Sequence, residues 1–198
     1  MRHFFALAAC LVLGACLTPT TDPQRLPAGE WQLDTAHSSV TWQVKHMGLS
    51  WYTGRFETLD ASLEFDPARP EAARLTAIIS AVSVSTGDPD FDAGLADDWL
   101  HADRHPQIMF TSTHVDVIDG TSGRVTGDLA LNGVTAPVTL DVTFNGGLTN
   151  LLERRPAVGF SAAGTLDRDT FNVGNLPHSI VGPTVRILIE AEFLREGE

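Results

Sequence analysis

The stretch Val125-Thr126-Gly127-Asp128-Leu129-Ala130-Leu131-Asn132-Gly133-Val134-Thr135-Ala136-Pro137-Val138-Thr139-Leu140-Asp141-Val142-Thr143-Phe144 decides the fold. Successive side chains of a strand point to opposite faces, so the runs Val125-Gly127-Leu129-Leu131 and Val138-Leu140-Val142-Phe144 each give one face with apolar character. Between them sits Asn132-Gly133. A two-residue hairpin turn of type I′ needs positive φ at both central residues, which Asn-Gly supplies at least cost. The stretch therefore reads as two antiparallel strands joined by a tight turn.

The same period of two recurs on both sides. Val40, Trp42, Val44 and His46 share one face, with Thr41, Gln43 and Lys45 on the other. Further alternations are Leu59-Ala61-Leu63-Phe65, Leu75-Ala77-Ile79, Phe160-Ala162-Gly164-Leu166 and Val185-Ile187-Ile189-Ala191-Phe193, with another strand over 108–117. Seven or eight such segments, bounded by Gly, Pro, Asn or Asp, predict an all-β antiparallel sandwich or barrel. An immunoglobulin sandwich is excluded, since the Cys…Trp…Cys spacing cannot be drawn here. Ile78 beside Ile79, and Leu188 between Ile187 and Ile189, put apolar residues on both faces, which favours an enclosed sheet or one lining a cavity. A single helix is predicted. Asp88-Pro89-Asp90 caps it, Phe91, Leu95 and Trp99 form its face, and Arg104-His105-Pro106 closes the region.

The 198 residues are 43% apolar and 19% charged, within the range of one globular domain. The formal charge is −12, and Lys45 is the one lysine. No basic stripe offsets the acidity, so nucleic acid is excluded as a partner.

The chain opens on a short basic start, Met1-Arg2-His3, and an apolar run from Phe4 to Leu17, too short for a membrane-spanning helix needing about 20 residues. Leu13-Gly14-Ala15-Cys16 is similar to a bacterial lipobox. It implies a signal peptide over 1–15, cleavage before Cys16, and lipid attachment, palmitate included, at that sulfur. Leu7-Ala8-Ala9-Cys10 also fits but leaves a hydrophobic segment of only six residues, Phe4 to Ala9. The alternative is ordinary cleavage near Ala15, leaving Cys16 a free thiol. Leu17, in place of Asp, after the cysteine points to the periplasmic face of the outer membrane. Residues 16–28 read as an extended tether, and 29–198 as the folded domain. Both cysteines lie at or before Cys16, so the domain offers no disulfide, thiolate ligand or cysteine nucleophile.

Catalytic and metal patterns are weak. His101 and His105 are four apart, but Pro106 disfavours helix at His105, and no second pair supports a metal site. Gly159-Phe160-Ser161-Ala162-Ala163-Gly164 departs from Gly-x-Ser-x-Gly at Ala163 and continues as a strand, with Ser161 facing away from Phe160. No phosphate loop or dinucleotide fingerprint is present. The expectation is a non-enzyme without metal or cofactor.

Five blocks in order carry a resemblance. Trp31-Gln32-Leu33-Asp34-Thr35-Ala36-His37-Ser38, Val44-Lys45-His46-Met47-Gly48 with Gly54-Arg55-Phe56, His105-Pro106-Gln107-Ile108-Met109-Phe110-Thr111-Ser112-Thr113, Gly127-Asp128-Leu129-Ala130-Leu131-Asn132-Gly133-Val134-Thr135, and Leu166-Asp167-Arg168-Asp169-Thr170-Phe171-Asn172-Val173-Gly174 resemble the YceI-like, or polyisoprenoid-binding, periplasmic proteins. His105 stands where an aromatic is usual. The resemblance implies an eight-stranded antiparallel, lipocalin-like barrel with a short helix after the fourth or fifth strand and an apolar tunnel for an isoprenoid or another amphipathic lipid.

By that resemblance the inward residues Val40, Trp42, Val44, Leu63, Phe65, Phe110, Leu140, Val142 and Phe144 contact a lipid tail, whereas from the residues alone they fill a closed core equally well. Lys45, His46, Arg168 and Asn172 are candidates for the head group, a phosphate or a quinone oxygen; otherwise Arg168 pairs with Asp167 or Asp169. The expected role is binding, storage or transport of the lipid. Alternatives are a quinone-presenting subunit for a membrane redox partner such as a cytochrome b561-like system, and a structural module with a filled core. The resemblance also raises a homodimer.

Overall fold

Each alternating segment finds a partner on both sides, and the sheet comes round on itself. The structure, a computed structural model, describes residues 18–197. The strands are β1 (Gly29–Leu33), β2 (Ser39–His46), β3 (Ser50–Phe56), β4 (Leu59–Phe65), β5 (Arg74–Ser80), β6 (Val84–Ser85), β7 (Gln107–Val117), β8 (Ser122–Leu131), β9 (Val134–Asn150), β10 (Arg155–Asp167) and β11 (Val181–Arg195), with helix α1 (Pro89–Gly94) before β7. The order β1-β4-β5-β7-β8-β9-β10-β11 is antiparallel throughout and closes by pairing β11 to β1. That ring is an eight-stranded barrel. Register shifts at Gly159/Phe160, Ser112/His114 and Val181/Val185 add the bends that closure demands.

One ring position is shared. β1 pairs with β11 through Phe193–Arg195, while β2 pairs with the same edge through Val181–Glu190, and β2 carries β3 and β6 with it. The corner between β1 and β2 is built by Asp34–Ser38: the Asp34 amide donates to the Glu192 carbonyl, the Glu192 amide to Ser38 Oγ, and Asp34 accepts from the Ala36 amide. The first sequence block is thus a corner motif.

At the Asn-Gly turn φ is 51° at Asn132 and 76° at Gly133, the geometry the dipeptide predicted. Asn132 is buried, and its side-chain amide donates to the carbonyls of Phe171 and Asn172 while its oxygen meets His101 Nδ1 at 2.8 Å. The turn therefore latches two loops. The helix starts where its cap predicted, Asp88 accepting from the Phe91 amide, and passes into a π-helical turn over Leu95–Trp99.

Cys16 and the 1–15 segment lie outside the described residues. Within the extended tether, the described residues 18–28 touch the barrel at two points. Thr20 exchanges backbone hydrogen bonds of 2.8 and 2.9 Å with Gly147, and Leu26 is buried. The reason is an open edge: β9 outruns β8, which leaves it beyond Ser122, and the N-terminal segment takes up Gly147 there.

Candidate lipid-binding cavity

The buried inward side chains fall into two clusters. One cluster gathers Trp31, Leu63, Phe65, Val158 and Phe193, and the other Val40, Leu95, Leu100, Ile108, Leu131 and Phe171. Between and around them lies a cavity of about 1080 Å³ with an almost wholly apolar wall. All nine predicted tail residues line it: Val40, Trp42 and Val44 from β2, Leu63 and Phe65 from β4, Phe110 from β7, and Leu140, Val142 and Phe144 from β9. Trp42, Phe110, Val142, Phe144, Phe160, Ile187 and Ile189 sit in mid-strand yet are only half-buried, because they face space instead of neighbours. Phe65, Phe144, Phe160 and Phe193 form a chain of ring contacts with centroids 5.2 to 6.1 Å apart along one part of the wall.

Trp42 lies flat against β3 because position 54 is glycine. A Cβ there would stand 2.2 Å from the indole ring. Gly54→Ala is expected to cost about 1–3 kcal/mol by forcing the ring off its seat. A thermal midpoint lowered by several degrees checks this, and an unchanged one contradicts the packing. The indole N–H of Trp42 is buried and meets no acceptor among the described residues.

Of the four head-group candidates, His46 and Arg168 border the cavity and Lys45 and Asn172 do not. His46 ends the inward face of β2 and borders the cavity near Tyr52, Phe91, Leu176 and Ile180. Lys45 is on the outer face, its Nζ 4.7 Å from the Trp51 ring centroid, a ring that Arg186 also covers at 3.7 Å. Alternation dictates this, since Val44 and His46 point in. Asn172 is exposed in a left-handed conformation, φ 52°, and does not border the cavity. Arg168 is 3% exposed, and its five N–H donors all go to backbone carbonyls, of Gly182, Val173, Gly174, Leu176 and Val181, with Asp169 at 3.4 Å. No donor is left for a phosphate or quinone oxygen. Arg168 is the clamp of the loop from β10 to β11; its predicted pairing with Asp169 is seen, but the carbonyls dominate.

At the far end the cavity is bordered by the β7–β8 turn, including Gly120, Thr121 and Ser122. Asp119 organises that turn. The Ser122 hydroxyl, then the amides of Thr121 and Ser122, hold its carboxyl down to about 2. A depressed carboxylate contributes stability above its ordinary value of 3.8 and loses it as pH falls toward 2. Exchange of the Thr121 and Ser122 amides is therefore expected to accelerate between about pH 4 and pH 2, beyond the intrinsic trend, in wild type but not in Asp119→Asn.

Sequence reading missed one group. Asp34, His37 and Glu192 bring their ligand-capable atoms within 4.8 Å of one another, outside the cavity. His37 Nδ1 lies 2.8 Å from Asp34. That hydrogen bond raises the His37 pKa; for Asp34 slight burial pushes up, but the His37 and amide hydrogen bonds together win and lower it. The group belongs to the β1–β2 corner. His101 is tied to Asn132, and His105 stacks on Gly133. Ser161, on the outer face, donates to Glu190 and accepts from Asn145.

A hollow barrel of this topology has relatives. Residues 31–193 match the family model of the YceI-like domain. The UPF0312 protein of Pectobacterium atrosepticum is 34% identical over 175 residues, covering 85% of this chain and 88% of its own length. The chain belongs to the YceI-like family. Protein YceI of Shigella flexneri is 36% identical over 149 residues, 74% of this chain and 77% of that one. Among solved structures, BcnA of Burkholderia cenocepacia superposes with TM-score 0.74 at 27% identity, covering 81% of this chain and 98% of its own. A polyisoprenoid binding domain from Saccharophagus degradans shares the fold at TM-score 0.58 and 13% identity, covering 86% and 100% of the two chains. The matched region begins at Trp31 and ends at Phe193, two residues of one buried cluster of the YceI-like barrel.

Proposed function

We propose that this YceI-like barrel binds a single long-chain isoprenoid or quinone-like amphiphile in its lumen and stores or carries it in the cell envelope, without catalysis. The observation that carries this reading is the cavity of about 1080 Å³, at the top of the range for small-molecule sites, walled by the apolar faces of the strands. A filled core would leave no such space, which favours lipid binding over the structural-module alternative. Burial of each methylene is worth about 0.8 kcal/mol, so a long chain binds with few polar contacts, selected by length and shape. A nine-residue strand spans roughly 30 Å, so an eight-unit isoprenoid folds back or protrudes. The neighbour named for polyisoprenoid binding lends the fold; the wall of this chain's own cavity lends the ligand class. Attachment through Cys16 places the protein at a membrane on the same reading.

The test is native mass spectrometry and organic extraction of protein isolated from its own membranes. A stoichiometric long-chain lipid, released with loss of thermal stability, is the expected result. Empty protein that also refuses added ubiquinone, farnesol and octaprenol overturns the reading.

A further inference from the structure

We propose that the end of the barrel formed by the β7–β8 and β9–β10 turns docks on a lipid bilayer, so that the part of the cavity bordered by the β7–β8 turn faces the leaflet. Turns at this end carry apolar side chains that nothing in the fold covers: Val117 is 45% exposed, Ile118 58%, Leu151 60% and Leu152 91%. Turn tips normally carry Gly, Asn, Asp or Ser, so a Leu-Leu pair at a tip needs a partner. This apolar surface reaches the site at the β7–β8 turn, where Val117 itself lines the cavity with Gly120 and Thr121.

Charge chooses the bilayer as occupant and this end over the other. Glu153, Arg154 and Arg155 follow the Leu pair, Glu153 lying 3.9 Å from Arg155, and Arg25 lies in the segment packed beside it, so the turn carries a net positive charge. The opposite end also exposes apolar residues, Met47 and Leu49, but it carries Asp88, Asp90, Asp92, Asp97 and Asp98, with no Lys or Arg between Arg74 and Arg104. Anionic head groups meet five aspartates around the helix there, despite Lys45 and Arg186 over Trp51, whereas here Asp116, Asp119 and Glu153 are offset by Arg25, Arg154 and Arg155. The course of the chain agrees. Thr20 is pinned to Gly147 close to the β9–β10 turn, four residues after Cys16, a separation of at most about 14 Å when extended. A lipid on Cys16 would hold this end, and not the acidic one, near the membrane.

The inference takes its cargo from the proposed lipid binding, but docking is measured apart from it. Protein isolated from its own membranes is reconstituted into protein-free vesicles of phosphatidylethanolamine and phosphatidylglycerol, 3:1, and amide exchange is compared with the same protein in detergent. Slowing of roughly tenfold at 117–121 and 150–154, with none at 47–49 or 88–99, is expected. In Leu151→Asp/Leu152→Asp the protection at 150–154 is lost while affinity for ubiquinone in solution stays within about twofold, because neither leucine lines the cavity. Protection at the acidic end, at neither end, or only in native membranes that also hold other proteins overturns the proposal. Protected turns on a protein that binds no lipid would sink the carrier reading and leave docking standing; bound lipid with unprotected turns does the reverse.

Discussion

Replacing Arg168 by methionine is expected to destabilise the barrel by about 3–5 kcal/mol and to lower its thermal midpoint by roughly 10 °C. The guanidinium is the hub of the segment between β10 and β11: five carbonyls spread over Val173, Gly174, Leu176, Val181 and Gly182 accept from its five N–H groups. Each buried carbonyl left without a donor costs about 1–3 kcal/mol, less where water or relaxation reaches it. Lysine at 168 restores little, because three donors on a flexible stem cannot match a planar fork. The same variant separates the two roles open to Arg168. A head-group contact would lose lipid affinity with stability intact. The clamp loses stability, while affinity, measured well below the new midpoint, stays within about threefold. Equal stability of Arg168→Met and wild type would refute the clamp.

The second large effect concerns the lumen. Ala162→Trp is expected to weaken binding of a long isoprenoid more than a hundredfold while leaving the thermal midpoint within a few degrees. Ala162 lines the cavity in register between Val142 and Ile189, so an indole there enters open space instead of packed neighbours. It displaces about four methylenes of ligand at about 0.8 kcal/mol each, roughly 3 kcal/mol in all. Ala163, the next residue, is exposed on the outer face, and Ala163→Trp serves as the control with unchanged affinity. Titration of both variants with octaprenol decides the matter. Undiminished binding by Ala162→Trp would mean that the tail lies elsewhere.

These outcomes bear on how far the sequence could be read. Eight of the nine inward residues, all but Phe110, follow from the alternation, since a strand cannot present Val40 and Trp42 to one side without turning Thr41 to the other. The Asn132-Gly133 turn and the Asp88 cap were equally local, set by φ preferences and one side-chain hydrogen bond. The two-sided apolar argument reached the right enclosure through a poor witness: Leu188 is 43% exposed on the outer face of β11. Lys45 was legible as outward from the same alternation that turned His46 inward. Arg168 was not legible, because its acceptors are carbonyls up to fourteen residues away, which no side-chain pattern encodes. The Asp34–His37–Glu192 group was hidden likewise, since Glu192 arrives from the far end of the chain.

Local rules thus dictated which face of each strand is apolar, where the chain turns, and that no cysteine chemistry is available to the domain. Closure of the ring, the splitting of one ring position between β1 and β2, the folding back of residues 18–28 and the hollow between the two packed clusters were decided by tertiary structure. Facing direction is a property of one residue and its neighbours, whereas an empty volume is set by the distance across the barrel, which only the joint tilt and register of eight strands determines.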